Sequence, residues 1–406
     1  MLFTSAKVFW VTFGIYLLVV FVPGLLIGST IFPDAAVHKT MLACLIFLCG
    51  LYLGSLVFPF SSLPSASEAS PSFRSGLALM VACTLAIVVY IALAGPPSPF
   101  LAAFAIHDSR AVAQLREEAV KLNTDALFVR VYAWGRDIFA PVTFALSIRA
   151  LRMGSGSRTR LLGFVGILGA LYLGLWSGQK ATVLNYLVAA VIFTSPGIRS
   201  MILTALTAAP ILLGALAGLF WITAPNLFGD PNALRILVQV IATRVLAAPL
   251  DVATAYIDAL EQLRIIGRLD VIPYVSFLHT PGIVSAENRV ALEYFYTGLD
   301  SAHANTLAFG YAYVLGGYFA CFLAGATVMA GMRLSMRIVA ATGSRFLGMA
   351  WSAWLCYLLL DLVQGNFVSY LTKVIVVAIL VWGVHAIRPR TLTVSTSQRF
   401  LSGSTA

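Results

Sequence analysis

Ten stretches of this chain are apolar for about 20 residues or nearly so, the length a helix needs to cross ~30 Å of hydrocarbon. They fall at 8–28, 41–60, 75–95, 126–148, 161–177, 181–196, 201–223, 304–332, 346–363 and 367–386. No other feature constrains the fold as strongly. In lipid a backbone must satisfy its own N–H and C=O groups, so a chain with these runs folds as a helix bundle. Composition leaves little room for anything else. Of 406 residues 60% are apolar and 10% are charged, too few charges to cover a soluble enzyme. The expected fold class is an all-α polytopic membrane protein of about ten transmembrane helices, forming a single integral membrane domain over 1–406. The run at 8–28 is too long for a signal-peptide core and no convincing small-residue cleavage site follows, so it reads as a retained first span. No internal repeat is visible, which gives an inverted-repeat transporter no support.

The formal net charge of +10 does not point to nucleic acid, because the basic residues are scattered between apolar runs and form no block or stripe. In a membrane protein such an excess marks cytoplasmic loops. With the N-terminus inside, the inner loops receive Arg149, Arg152, Arg158 and Arg160, then Arg333, Arg337 and Arg345, then Arg388, Arg390 and Arg399, with Glu68 as their sole acid. The expected orientation therefore has both termini cytoplasmic. The five cysteines, Cys44, Cys49, Cys83, Cys321 and Cys356, all lie inside apolar runs, which argues against a disulfide framework or a metal cluster.

Two outer segments are longer than connectors need to be. One covers 96–125; the other, 224–303, is the only sizeable extramembrane region. Within the second, 235–262 reads as an amphipathic helix bent at Pro249. Its polar stripe carries Arg235, Gln239 and Thr243, then Asp251, Thr254, Asp258 and Gln262. Such an element lies on the outer membrane face or packs on the bundle, and the plain reading is a lid helix with a solvated edge.

Ionisable groups inside a membrane are costly and so are functional candidates. Here they gather at one level. Arg130, Arg136 and Asp137 lie in the outer half of the fourth span, and Lys180 sits at the Ser177-Gly178-Gln179-Lys180 turn. Asp361 and Gln364 end the ninth span, and Asn366, Ser369 and Lys373 start the tenth on one helical face. A proton or ion path would carry polar groups through the full depth. This distribution instead describes a polar chamber open to the outer side and sealed below. Arg130, Arg136, Lys180 and Lys373 line it, with Arg244 and Arg289 contributed by the loop above. Several cations beside apolar helices suit a lipid pyrophosphate, its head in the chamber and its tail in the bilayer. The plainer alternative for each is a snorkelling side chain, or an ion pair such as Arg136 with Asp137.

From about residue 105 to 332 the chain resembles the Wzy-type oligosaccharide repeat-unit (O-antigen) polymerases. The resemblance rests on Tyr132-Ala133-Trp134-Gly135-Arg136-Asp137-Ile138-Phe139-Ala140-Pro141 after a polar loop, on Leu175-Trp176-Ser177-Gly178-Gln179-Lys180, and on Arg244-Val245-Leu246-Ala247-Ala248-Pro249. The run Ala302-His303-Ala304-Asn305, entering a span with Gly316-Gly317, adds to it. These patterns are loose. Arg289 precedes Gly298 at a spacing that departs from the family's arginine–glycine pattern, so no role passes to Arg289 from that motif. His303 also keeps open a relative of the family, the O-antigen ligases.

The resemblance implies a fold related to the lipid-dependent membrane glycosyltransferases (GT-C-like) with a periplasmic helical loop region, in the bacterial inner membrane. It implies transfer of a growing glycan from undecaprenyl pyrophosphate to a sugar hydroxyl of a lipid-linked repeat unit. No cofactor is expected and no metal, since preorganised cations can neutralise the leaving group. The expected partners are the undecaprenyl-pyrophosphate-linked oligosaccharide, the lipid bilayer, a chain-length regulator and a flippase. Arg244, His303 and Asp251 are the catalytic candidates, with Glu293 and Asp300 as further possible bases; a histidine titrates near neutrality. Lys180, Arg130, Arg136, Arg289, Asn305, Lys373 and Tyr256 are the substrate-binding candidates. Tyr256, Tyr274, Tyr294 and Tyr296 stack sugars or belong to the interfacial belt. The competing activities are a ligase that transfers the glycan to lipid A core, and a non-catalytic transporter of lipid-linked sugars.

Overall fold

In the computed structural model the described residues are 5–26, 28–29, 31–57, 71–106, 126–153, 156–177, 180–195, 199–204, 206–207, 248–263, 306–364 and 367–387, with single positions between. Their regular structure is helical throughout. Five helices are long and apolar enough to cross a membrane: Phe9–Leu26, Asp34–Val57, Phe73–Ala94, Ser157–Leu175 and Ala308–Ala341. Shorter apolar helices run Thr182–Thr194, Arg345–Leu360 and Lys373–Gly383. The chain is a polytopic membrane protein. Each of the ten apolar runs coincides with a helix except 201–223, most of which lies outside the described residues.

In chain order, α1 joins Ser5–Tyr16, a π-helical turn Leu17–Phe21, and Val22–Leu26. Then come α2 (Asp34–Val57), α3 (Pro71–Ala94) and the short α4 (Pro99–Ile106). Helix α5 joins Ala126–Trp134, a π turn Gly135–Phe139, and Ala140–Met153. Helices α6 (Ser157–Leu175) and α7 (Lys180–Thr194) form the expected hairpin. After α8 (Ala248–Leu263) come α9 (Ala308–Ala341), α10 (Arg345–Gln364) and α11 (Phe367–Ile387). The turn between α9 and α10 uses Gly343 at φ +65° and Ser344, whose hydroxyl accepts the Leu347 N–H at 3.3 Å as an N-cap.

Both π turns have one cause. Pro141 cannot donate to the carbonyl four residues back, Asp137, and its ring presses on that group. The helix widens just before it, closed by the Ala140 N–H on the Gly135 carbonyl. Pro23 does the same in α1, where the Val22 N–H closes on the Leu17 carbonyl. Such a turn leaves helix carbonyls in need of outside donors.

The tightest packing is between α2 and α9. Gly50 and Gly54 of α2 face Gly325 of α9. A Cβ on Gly50 would collide with the Phe322 carbonyl, one on Gly54 with that of Ala326, and one on Gly325 with that of Phe47. Without a hydrophobic drive between helices in lipid, close backbone approach is what holds such pairs. The period-three glycines Gly163, Gly166 and Gly169 let α6 approach α3 and α5 in the same way.

Helix α9 departs from the single span expected over 304–332. Its backbone breaks at Gly316 (ψ 34°) and Gly317 (φ 62°, ψ −146°). The Cys321 thiol donates to the Phe309 carbonyl at 3.3 Å across twelve positions, where a straight helix would separate them by roughly 18 Å. The first arm, residues 308–315, is therefore folded back on the second. Gly317 supplies the positive φ this reversal needs. Tyr16 anchors the hairpin. Its ring packs on Phe47 and Phe309, at centroid distances of 5.6 and 5.9 Å. Its hydroxyl donates to the Leu362 carbonyl at 2.8 Å, which ties α1, α9 and α10 at one point.

Helix α8 is packed into the bundle against α2 and α9. The start of its polar stripe, Asp251 and Thr254, is not a solvated edge, while Asp258 further along is half-buried. Asp251 is 7% exposed and Thr254 is fully buried. Thr254 accepts from the Thr40 hydroxyl at 3.1 Å. Pro249 lies in the first turn of α8, where its missing N–H costs nothing. The part of the predicted 235–262 helix before residue 248 lies outside the described residues, apart from residue 235.

Candidate functional site

The α5 bulge builds the site. Pro141 leaves the Asp137 carbonyl without its helical donor, and Trp354 of α10 supplies one through Nε1 at 2.9 Å. The Arg136 carbonyl, whose next donors are Ala140 (engaged with Gly135) and Pro141, accepts from the Tyr186 hydroxyl of α7. The bulge thus ties α5 to α7 and α10 and turns Arg136 and Asp137 inward together. Arg136 donates through Nε at 2.8 Å and through a second nitrogen at 3.1 Å to the two Asp137 oxygens. The Tyr357 hydroxyl reaches the same carboxylate at 3.4 Å. Lys373 of α11 is close enough to act on Asp137 electrostatically.

An aromatic wall stands beside the pair. The Arg136 guanidinium lies 5.5 Å from the centroid of the Tyr132 ring. Tyr132 packs on Phe128 and on Trp176, at 6.4 and 4.7 Å. Trp176 begins the α6–α7 turn and is fixed by α4. Ser98, the N-cap of α4 before Pro99, donates to the Trp176 carbonyl at 2.9 Å, and the Phe100 N–H adds a bond at 3.3 Å. Two separated sequence segments, 132–141 and 175–177, therefore meet at one corner.

The predicted residues divide as follows. Arg136 and Lys373 come together around Asp137. Lys180 opens α7 three positions after Ser177, and its side chain lies outside the described residues. Arg130 does not join the cluster. It is exposed on α5, because six residues place it about 120° around the helix from Arg136. Arg244, Arg289, His303 and Asn305, with Glu293, Asp300, Tyr274 and Tyr296, lie outside the described residues. Asp251 is held away from solvent as a clasp. It accepts the Ser29 hydroxyl at 2.6 Å, and Ser29 Oγ in turn accepts the Ile31 and Phe32 N–H groups at 3.1 and 3.0 Å. Burial pushes the Asp251 carboxyl above the usual range, and the Ser29 bond opposes that. Tyr256 is fully buried, with its ring 5.4 Å from that of Tyr311. Tyr294 packs on Phe32 at 5.3 Å.

Sequence reasoning passed over Tyr186, Trp354 and Tyr357. The available signal was Pro141, whose position requires donors from neighbouring helices. Among the described residues no three His, Cys, Asp or Glu side chains converge. Comparison of the chain with family models, with curated proteins and with solved structures finds no match.

Proposed function

We propose that the protein polymerises undecaprenyl-pyrophosphate-linked oligosaccharide repeat units into O-antigen or a related surface polysaccharide, as a glycosyltransferase of the GT-C-like class. In this reading it spans the bacterial inner membrane about ten times with both termini cytoplasmic, and residues 224–303 are periplasmic. A flippase supplies its substrate and a chain-length regulator acts with it. The observation that carries the reading is the corner where Tyr132 meets Trp176 at 4.7 Å. Two of the three stretches that resemble the polymerase family converge there, around the half-buried Arg136–Asp137 pair and beside Lys373.

The chemistry follows from the charges. The donor's anomeric carbon is attacked by an acceptor sugar hydroxyl, the C–O bond to the pyrophosphate breaks, and the hydroxyl proton passes to a base. Negative charge grows on the leaving group, and preorganised cations stabilise it. Arg136 is held by Asp137 and sets the field of the site, while Lys180, Lys373 and Arg244 contact the pyrophosphate. Loss of one charge-assisted contact costs roughly 1.5–3 kcal/mol. Arg244→Ala and Lys180→Ala should therefore abolish long polymer in cells at unchanged protein level, and Arg244→Lys should rescue poorly because the planar fork is lost. A full-length polymer ladder in both alanine variants would refute this assignment.

A further inference from the structure

Helices α9 and α11 pack together, and toward their C-terminal ends a groove of about 420 Å³ opens between them. Leu334, Arg337, Ile338 and Ala341 line it from α9, and Ile379 and Trp382 from α11. Spacings of three and four put the α9 residues on one helical face. The volume falls in the range of ligand pockets, roughly 300–1,000 Å³. The groove is open on one side, since Ile379 is 53% and Trp382 54% exposed. On helices that lie in a bilayer, that open side faces lipid.

Of the six lining residues only Arg337 is charged. It is exposed, and among the described residues no carboxylate pairs with it. The sequence has no acid between Asp300 and Asp361 and none after Asp361, which lies at the opposite end of α10. Arg333 sits one turn before Arg337, and Arg345 opens α10, so this end of the bundle is cationic. Trp382 fixes the depth. Arg337 lies four residues before the end of α9 and Trp382 five before the end of α11, about 6 and 7.5 Å along their helices. An exposed indole and an exposed guanidinium at one level mark the boundary between headgroups and hydrocarbon. A guanidinium there, beside an apolar groove, is complementary to a phosphate that carries an acyl chain. A zwitterionic headgroup brings its own cation to that phosphate, whereas an anionic one leaves it to the protein. We propose that this groove binds an anionic phospholipid, with an acyl chain between α9 and α11 and the phosphate on Arg337. The site is independent of the polymerase reading and of which side of the membrane this end faces.

The test reconstitutes the full chain in phosphatidylcholine bilayers. A rising fraction of the lipid is replaced by brominated phosphatidylglycerol or, separately, by brominated phosphatidylcholine. Bromine quenches the fluorescence of an indole it touches. The quenching that disappears on Trp382→Phe, measured in each background, reports occupancy of the groove. Trp382 and Arg337 are both exposed, so neither substitution disturbs the core. In the wild type, Trp382 should be quenched at a roughly fivefold lower fraction of phosphatidylglycerol than of phosphatidylcholine. Arg337→Gln should bring the two lipids to parity. Arg158→Gln, which removes an exposed charge from α6, should leave the preference intact. Equal quenching by the two lipids in the wild type overturns the proposal, because the groove is then ordinary lipid-facing surface. A preference that survives Arg337→Gln overturns it as well, by placing the phosphate elsewhere. Absence of Trp382 quenching by either lipid also overturns it, by showing that protein, such as a second copy of the chain, covers the groove.

Discussion

The dependence of the Asp137 carbonyl on Trp354 gives a quantitative test of how the α5 bulge is built. Trp354→Phe removes the indole N–H that reaches this carbonyl at 2.9 Å, and Pro141 cannot replace it. An unsatisfied buried carbonyl costs about 1–3 kcal/mol. The substitution also loses packing, since Trp354 is 2% exposed and its ring meets Trp351 at 5.1 Å. A double-mutant cycle separates the two. Pro141→Ala restores an N–H four residues after Asp137, so in that background Trp354→Phe should cost packing alone. The coupling between the two substitutions should be about 1–3 kcal/mol, with Trp354→Phe more harmful beside proline. Thermal unfolding of the purified protein, followed with a thiol-reactive dye, reads it out. Buried Cys44, Cys321 and Cys356 react on opening, and exposed Cys49 sets the baseline. Additivity within about 0.5 kcal/mol would refute the claim that Pro141 creates the need for Trp354.

Gly50→Ala and Gly325→Ala each push a methyl group into the facing backbone, and each should cost about 1–3 kcal/mol of stability, read as a lower melting temperature. The Asp251 clasp predicts a pH dependence. Burial raises its folded-state pKa, so the folded state binds the proton more tightly than the unfolded one. Stability should then fall as pH rises from the ordinary carboxylate range, about pH 4, through the raised value, and level off above it. Asp251→Asn should remove that slope in thermal unfolding; a rise with pH from this residue would contradict the burial argument. Arg130, on the exposed side of α5, should tolerate alanine without loss of polymer, whereas Arg136→Ala strands the Asp137 carboxylate and should abolish it, as read from polymer ladders in cells.

The spans were legible because a membrane helix must be apolar over its own length, and that signal is local. The meeting of Arg136 with Asp137 was legible too, as adjacent opposite charges in an apolar run. The separation of Arg130 from Arg136 follows from helical geometry alone and needs no structure to find it. Two features had no local signal. The first arm of α9 is as apolar as a span, and only the Cys321–Phe309 contact and the φ of Gly317 reveal the reversal. The stripe of α8 looks solvated in sequence because its partners, Ser29 and Thr40, lie more than 200 positions away. An Asp or Thr facing a distant hydroxyl has the same spacing as one facing water. Pro141 was visible as a helix breaker, but the donors it recruits from α7 and α10 are fixed by packing.

The most direct measurement of the central claim is reconstitution. The purified protein in proteoliposomes receives one synthetic undecaprenyl-pyrophosphate-linked repeat unit, with EDTA present. The account predicts a ladder of glycans increasing by one repeat unit, with one undecaprenyl pyrophosphate released per bond formed. A protein that moves the lipid-linked unit across the bilayer without extending it would contradict the account, as would a ladder that appears only when Mg²⁺ is restored.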